Sequence, residues 1–136
     1  MVGIVGLAQR PYPIYTTDHL AATMETLGPN FTATMQTLAA ADYATTKERL
    51  SRSREQLATT VTFWRDHEKD DATGYVRAAL RGMDDLDAVL SMELVDSMAA
   101  AEVAADIQAA CASCHAVYRE QDPTTGEYRL KSDTLE

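Results

Sequence analysis

The chain has 136 residues and a formal net charge of −9, from 21 acidic and 12 basic side chains. A phosphate backbone repels such a chain unless it carries a compact basic patch, and none is visible, which excludes nucleic acid as the partner. Its length suits one domain with its own core, and six glycines, four prolines and few Val/Ile runs point away from a sheet and towards an all-α fold.

The opening stretch, MVGIVGLAQ, is apolar and ends on Gly6, Leu7 and Ala8, a small-x-small pattern of the kind that precedes signal cleavage. It lacks a basic start and is shorter than the roughly 20 apolar residues a membrane helix needs. Residues 1–8 therefore read as the end of an export signal and 9–136 as a single domain, with a plain apolar N-terminus as the competing reading. After Pro11 and Pro13, which hold the backbone extended, Leu20, Met24, Leu27, Phe31, Met35 and Leu38 recur in steps of three and four. They predict a helix over about 17–40 with one buried stripe. Pro29 falls inside it, where a kink is expected rather than a break because the stripe stays in phase; two short helices are the alternative.

Asp42 caps a second predicted helix, with Tyr43, Leu50, Leu57, Val61 and Trp64 on its stripe, the charged run KERLSRSRE largely outside, and an end near Lys69. Asp70 and Asp71 offer the next cap, and the spacing of Ala72, Val76, Ala79, Met83, Leu86 and Leu90 predicts a third helix to about Ser91. From Val95 or Asp96, the series Val103, Ile107, Ala110, Cys114 and Val117 predicts a fourth helix to about Gln121, where Pro123 stops it. Residues 122–136 read as a turn at Thr125 and Gly126 followed by a polar tail. Four such helices with short connections fit an antiparallel four-helix bundle, in which cofactors are held by inward-facing residues.

The fourth helix contains both cysteines of the chain, in CASCHAVYRE. Cys111, Cys114 and His115 lie three and four residues apart, on one helix face. Paired cysteines at this interval serve as a redox dithiol, as half of a zinc site, or as the attachment point of haem. Zinc asks for about four ligands, and beyond the motif the chain offers only His19, His67 and carboxylates. A dithiol belongs at a helix start that lowers the thiol pKa, near strands, and these cysteines sit near a helix end. Haem c fits best: the thiols add to the two vinyl groups and the adjacent imidazole reaches the iron. One covalent haem, bound in the bundle near the C-terminal helix, is the expectation.

CASCHAVYR near the C-terminus of a four-helix chain resembles the class II cytochromes c, the cytochrome c′ family, down to the Tyr118-Arg119 pair after the motif. METLGPNF, Met24 to Phe31, resembles the Met-x-x-x-Gly-x-Asn pattern of its low-spin members. That resemblance implies His115 as proximal and Met24 as distal iron ligand, although a methionine on such a stripe also serves as plain core. Members with an apolar residue at that position are five-coordinate and bind a small gas such as nitric oxide or carbon monoxide, the alternative function. Arg119 lies beside the proximal face or pairs with a haem propionate by the same resemblance; on the plainer reading it is a solvated helix-end arginine. His19 is some 140° around the helix from Met24 and reads as an exposed first-turn residue, and His67, in RDHEKDD, as solvated. Phe63 and Trp64 read as core. The function implied is a non-enzymatic electron carrier in the periplasm or otherwise outside the cytoplasm. Its implied partners are redox proteins, a membrane electron-transfer complex among them, and homodimers form through helix one in that family.

Overall fold

The computed structural model describes residues 15–135, so the expectations for residues 1–8, Pro11 and Pro13 lie outside the described residues. It contains four helices and a small hairpin: α1 (Thr17–Ala39), α2 (Tyr43–Asp66), α3 (Asp70–Leu90), α4 (Ser97–Tyr118), β1 (Arg119–Gln121) and β2 (Tyr128–Leu130). The helices reverse direction at connections of a few residues and pack in sequence, α1 on α2, α2 on α3 and α3 on α4. That arrangement is compatible with an antiparallel four-helix bundle.

Helix α1 begins with a capping box in which histidine takes the place of the usual Glu or Gln. The His19 N–H donates to Thr16 Oγ1 at 3.2 Å, and the Thr16 N–H donates to His19 Nδ1 at 3.1 Å. The exposed first-turn reading of His19 therefore holds, with a structural role added. The helix runs unbroken through Pro29, which removes the alternative of two short helices.

Helices α1 and α2 end alike. The N–H of Ala41 returns to Leu38 O and that of Asp42 to Thr37 O; likewise Glu68 returns to Arg65 O and Lys69 to Trp64 O. These are Schellman closures, which glycine usually makes, here with Ala41 (φ 58°) and Glu68 (φ 56°) in the left-handed region. The closure ends α2 at Asp66, three residues before the expected Lys69. It also makes Lys69 the N-cap of α3, without a side-chain bond, and places Asp70 and Asp71 in the first turn, where their charge suits the positive end of the helix dipole. At α4 the cap is Asp96, whose Oδ1 accepts from the N–H groups of Met98 and Ala99 at 3.1 Å each.

The expected continuation of α4 to Gln121 is corrected: the helix stops at Tyr118 and Arg119 turns extended, φ −109° and ψ 138°. Residues 119–121 pair antiparallel with 128–130, in the register Arg119 with Leu130, Glu120 with Arg129 and Gln121 with Tyr128. The turn between them is built locally. Asp122 Oδ1 accepts from the N–H groups of Thr124 and Thr125 at 2.7 and 3.0 Å, and Gly126 supplies a φ of 75° that favours glycine. The C-terminal segment is thus an ordered hairpin rather than a polar tail, with Leu130 and Leu135 packed against the core.

The core contains Leu50, Leu57, Phe63, Trp64, Met83 and Ile107, each no more than 4% exposed. Phe63 and Trp64 are core, as expected. On α4 the buried end of the stripe is Tyr118 and not Val117, which is 37% exposed, because the helix ends one residue later and Tyr118 turns inward. A Cβ on Gly82 would lie 2.6 Å from Ile107 Cγ1, so glycine lets α3 and α4 approach closely. The α1–α2 seam is partly polar. Thr34, Thr46, Ser53 and Thr60 are fully buried, and each hydroxyl donates to a carbonyl three or four residues back, which satisfies it without leaving the helix. Asn30 Nδ2 donates across the same seam to Ser53 Oγ at 3.1 Å. His67, expected to be solvated, is half-buried: its ring centroid lies 4.3 Å from that of Phe63, and its Nδ1 is 2.8 Å from Phe63 O.

A candidate cofactor cavity between the first and last helices

Among the described residues, helices α1 and α4 pack on each other far less than sequential neighbours do. Between them lies a largely apolar cavity of about 710 Å3, walled by residues of all four helices and the hairpin. Its size falls within the 300–1,000 Å3 typical of cofactor and ligand sites. Cys111, Cys114, His115 and Met24 all line it, together with Arg119, so one space gathers every site residue read from the sequence. Met24 comes from α1 and the Cys/His group from α4. The first four are half-buried, whereas Arg119 is exposed. A second recess of about 620 Å3 adjoins it, sharing Cys111, His115 and Arg119 and adding Met35.

Burial sets the chemistry of the motif. Both cysteines are free thiols. Burial pushes Cys111 up, and burial, followed by the charges of Asp71 and Cys111, pushes Cys114 up to about 12. Neither is the low-pKa thiolate that dithiol redox chemistry uses. Burial, followed by the Arg119 charge, holds His115 below the ordinary imidazole range, which keeps the ring neutral with a free lone pair. Tyr118, adjoining Arg119 and 5% exposed, packs its ring tilted against Trp64, 4.7 Å between centroids, and donates its phenolic O–H to Asp71. This bond fastens the end of α4 to the start of α3.

Sequence reasoning did not anticipate that the hairpin is a wall of the cavity, with Tyr128, Leu130, Lys131 and Leu135 lining it. Arg119 is held against this wall, its guanidinium carbon 3.8 Å from the Tyr128 ring centroid, a cation–π contact. The signal available was the Asp-Pro-x-x-Gly turn followed by the alternation Tyr128, Arg129, Leu130.

The chain matches no protein-family model, no curated protein and no solved structure in these comparisons.

Several observations bear on whether a haem would fit. Among the described residues no three His, Cys, Asp or Glu side chains gather to hold a bare metal ion, whereas an iron already held by a macrocycle asks the protein only for axial ligands. The cavity is largely apolar, and two neutral thiols, a neutral imidazole and a thioether line it. Trp64 lines the same cavity. The residues fit the group.

Proposed function

We propose that the protein is a monohaem c-type cytochrome that carries single electrons outside the cytoplasm and is not an enzyme. The observation supporting this most directly is the sharing of one largely apolar cavity by Cys111, Cys114 and His115 from α4 and Met24 from α1. When bound, such a haem supplies a ferric/ferrous couple.

Cys111 and Cys114 would anchor it by thioether bonds. Each thiol would give its sulfur to one carbon of a vinyl group and its hydrogen to the other, so no electrons would be gained or lost. His115 would offer its lone pair to the iron, which its neutral state permits. Met24 would offer its thioether as the second ligand, which would leave no open position for substrate and raise the potential. The apolar wall of Leu20, Leu27, Val76, Ala79 and Met83 excludes water and so tunes that potential further. The acidic surface, nine charges in excess, suits encounter with basic redox partners, a membrane electron-transfer complex among them; among the described residues no helix is long and apolar enough to cross a membrane.

The optical spectrum of the purified protein tests the ligand set. A six-coordinate low-spin ferric spectrum with a methionine-to-iron charge-transfer band is expected. A high-spin spectrum would remove Met24 from the ligands and favour the gas-binding function.

A further inference from the structure

The two sides of the cavity carry opposite charge. Helix α1 presents Asp18 and Glu25, whereas the end of α4 and the hairpin present Arg119, Arg129 and Lys131. Arg129 is engaged on its own hairpin by Glu120 at 2.7 Å and Asp122 at 2.9 Å. Among the described residues Arg119 and Lys131 pair with no carboxylate.

Lys131 is held in place by the fold. Its backbone N–H donates to Tyr118 O at 2.9 Å, directly after the β2 strand that pairs with Arg119, and its ammonium donates to Ala116 O at 3.0 Å. An ammonium has three donors, so two remain. In a chain with almost twice as many acids as bases, two unpaired cations on one wall of an apolar cavity form a site for carboxylate groups carried by an otherwise apolar ligand.

Building on the haem reading, we propose that the C-terminal hairpin is the acid-recognition wall of the cofactor site, with Lys131 as a positioning residue that holds a carboxylate arm of a tetrapyrrole dicarboxylate beside Arg119. The plainer role for Lys131 is to cap the last carbonyls of α4, and it predicts a different outcome.

The test uses the full-length chain produced without haem and kept reduced. Trp64 is its single tryptophan and lines the cavity, so its fluorescence reports occupancy. The probes are iron-free protoporphyrin IX, with two free carboxylates, and its dimethyl ester. The acid is expected to bind about tenfold more tightly than the ester, the worth of one charge-assisted hydrogen bond. Lys131→Met should abolish that preference, Lys131→Arg should keep it, and Arg52→Met, the same charge change on the outer face of α2, should leave it intact. Equal binding of acid and ester by the wild type, or a preference that survives Lys131→Met, overturns the anchor while the cofactor reading stands. A lower melting temperature for Lys131→Met with the preference retained assigns the lysine to capping alone and also overturns it. If neither porphyrin quenches Trp64 in a chain with intact helical circular dichroism, the anchor fails, whereas covalent haem is read separately from the mass of the holoprotein.

Discussion

Replacing Tyr118 by phenylalanine removes one oxygen from the junction that holds the end of the motif helix. The ring, 5% exposed and 4.7 Å from Trp64, keeps its packing, so the change isolates the hydrogen bond to Asp71. A hydrogen bond to a charged acceptor contributes about 1.5–3 kcal/mol. Asp71 is exposed, so water replaces the phenol on its carboxylate, and a loss of about 1 kcal/mol is expected, or about 3–5 °C in melting temperature for a domain of this size. The pH dependence gives the sharper test. The Tyr118 hydrogen bond is the largest influence holding Asp71 below the usual carboxylate range. Its contribution is therefore fully present above the unfolded-state value near about pH 4 and is lost as pH falls through the lower folded-state value. The phenol is shifted upward, first by burial and then by Asp71, so the alkaline limit lies above about pH 10. Urea unfolding followed by far-UV circular dichroism should show a constant gap between wild type and Tyr118→Phe from about pH 5 to 9, closing towards strong acid. No gap at pH 7, or a gap that persists unchanged in strong acid, would refute the reasoning.

Met24→Leu nearly conserves apolar volume and should cost less than about 1.5 kcal/mol. If Met24 is the distal ligand, the variant becomes high-spin, binds carbon monoxide in its ferrous form and shows a lower potential by redox titration; an unchanged spectrum and potential would make Met24 packing only. Gly82→Ala gains about 0.5–1 kcal/mol in helix propensity but forces a methyl group against the buried Ile107 at 2.6 Å, an overpacking cost of about 1–3 kcal/mol. Thermal melts should show net destabilisation of about 1 kcal/mol. Ala41→Gly relieves a left-handed residue at the α1 closure and should raise stability by up to about 1 kcal/mol, read as a higher urea midpoint; a lower midpoint would contradict that account.

The four helices were legible because apolar spacing and the Asp42 and Asp96 caps act locally. The start of α3 was misplaced because the Schellman closure at Glu68 uses a residue type that carries no stop signal, and the same closure shifted the cap to Lys69. The C-terminal hairpin was missed for a different reason. Its strands are three residues long and depend on Leu130 and Leu135 reaching a core that only the assembled helices provide. His67 was misread because its neighbours in sequence are charged while its neighbour in space, one turn back, is Phe63. For the candidate site, Cys111, Cys114 and His115 declare themselves by spacing, and Met24 through a register that only a resemblance supplied. Lys131 lies 20 residues from Cys111 in sequence and enters the cavity wall solely through the hairpin's pairing with Arg119.

The central claim is that Cys111 and Cys114 carry a covalent haem. Intact-mass spectrometry of the denatured protein, from cells competent in haem attachment, tests it most directly. The account predicts a mass exceeding that of the chain by one haem, a haem c spectrum in alkaline pyridine, and loss of both when Cys111 and Cys114 are replaced by serine. A chain of bare mass from such cells, colourless and folded, would contradict it.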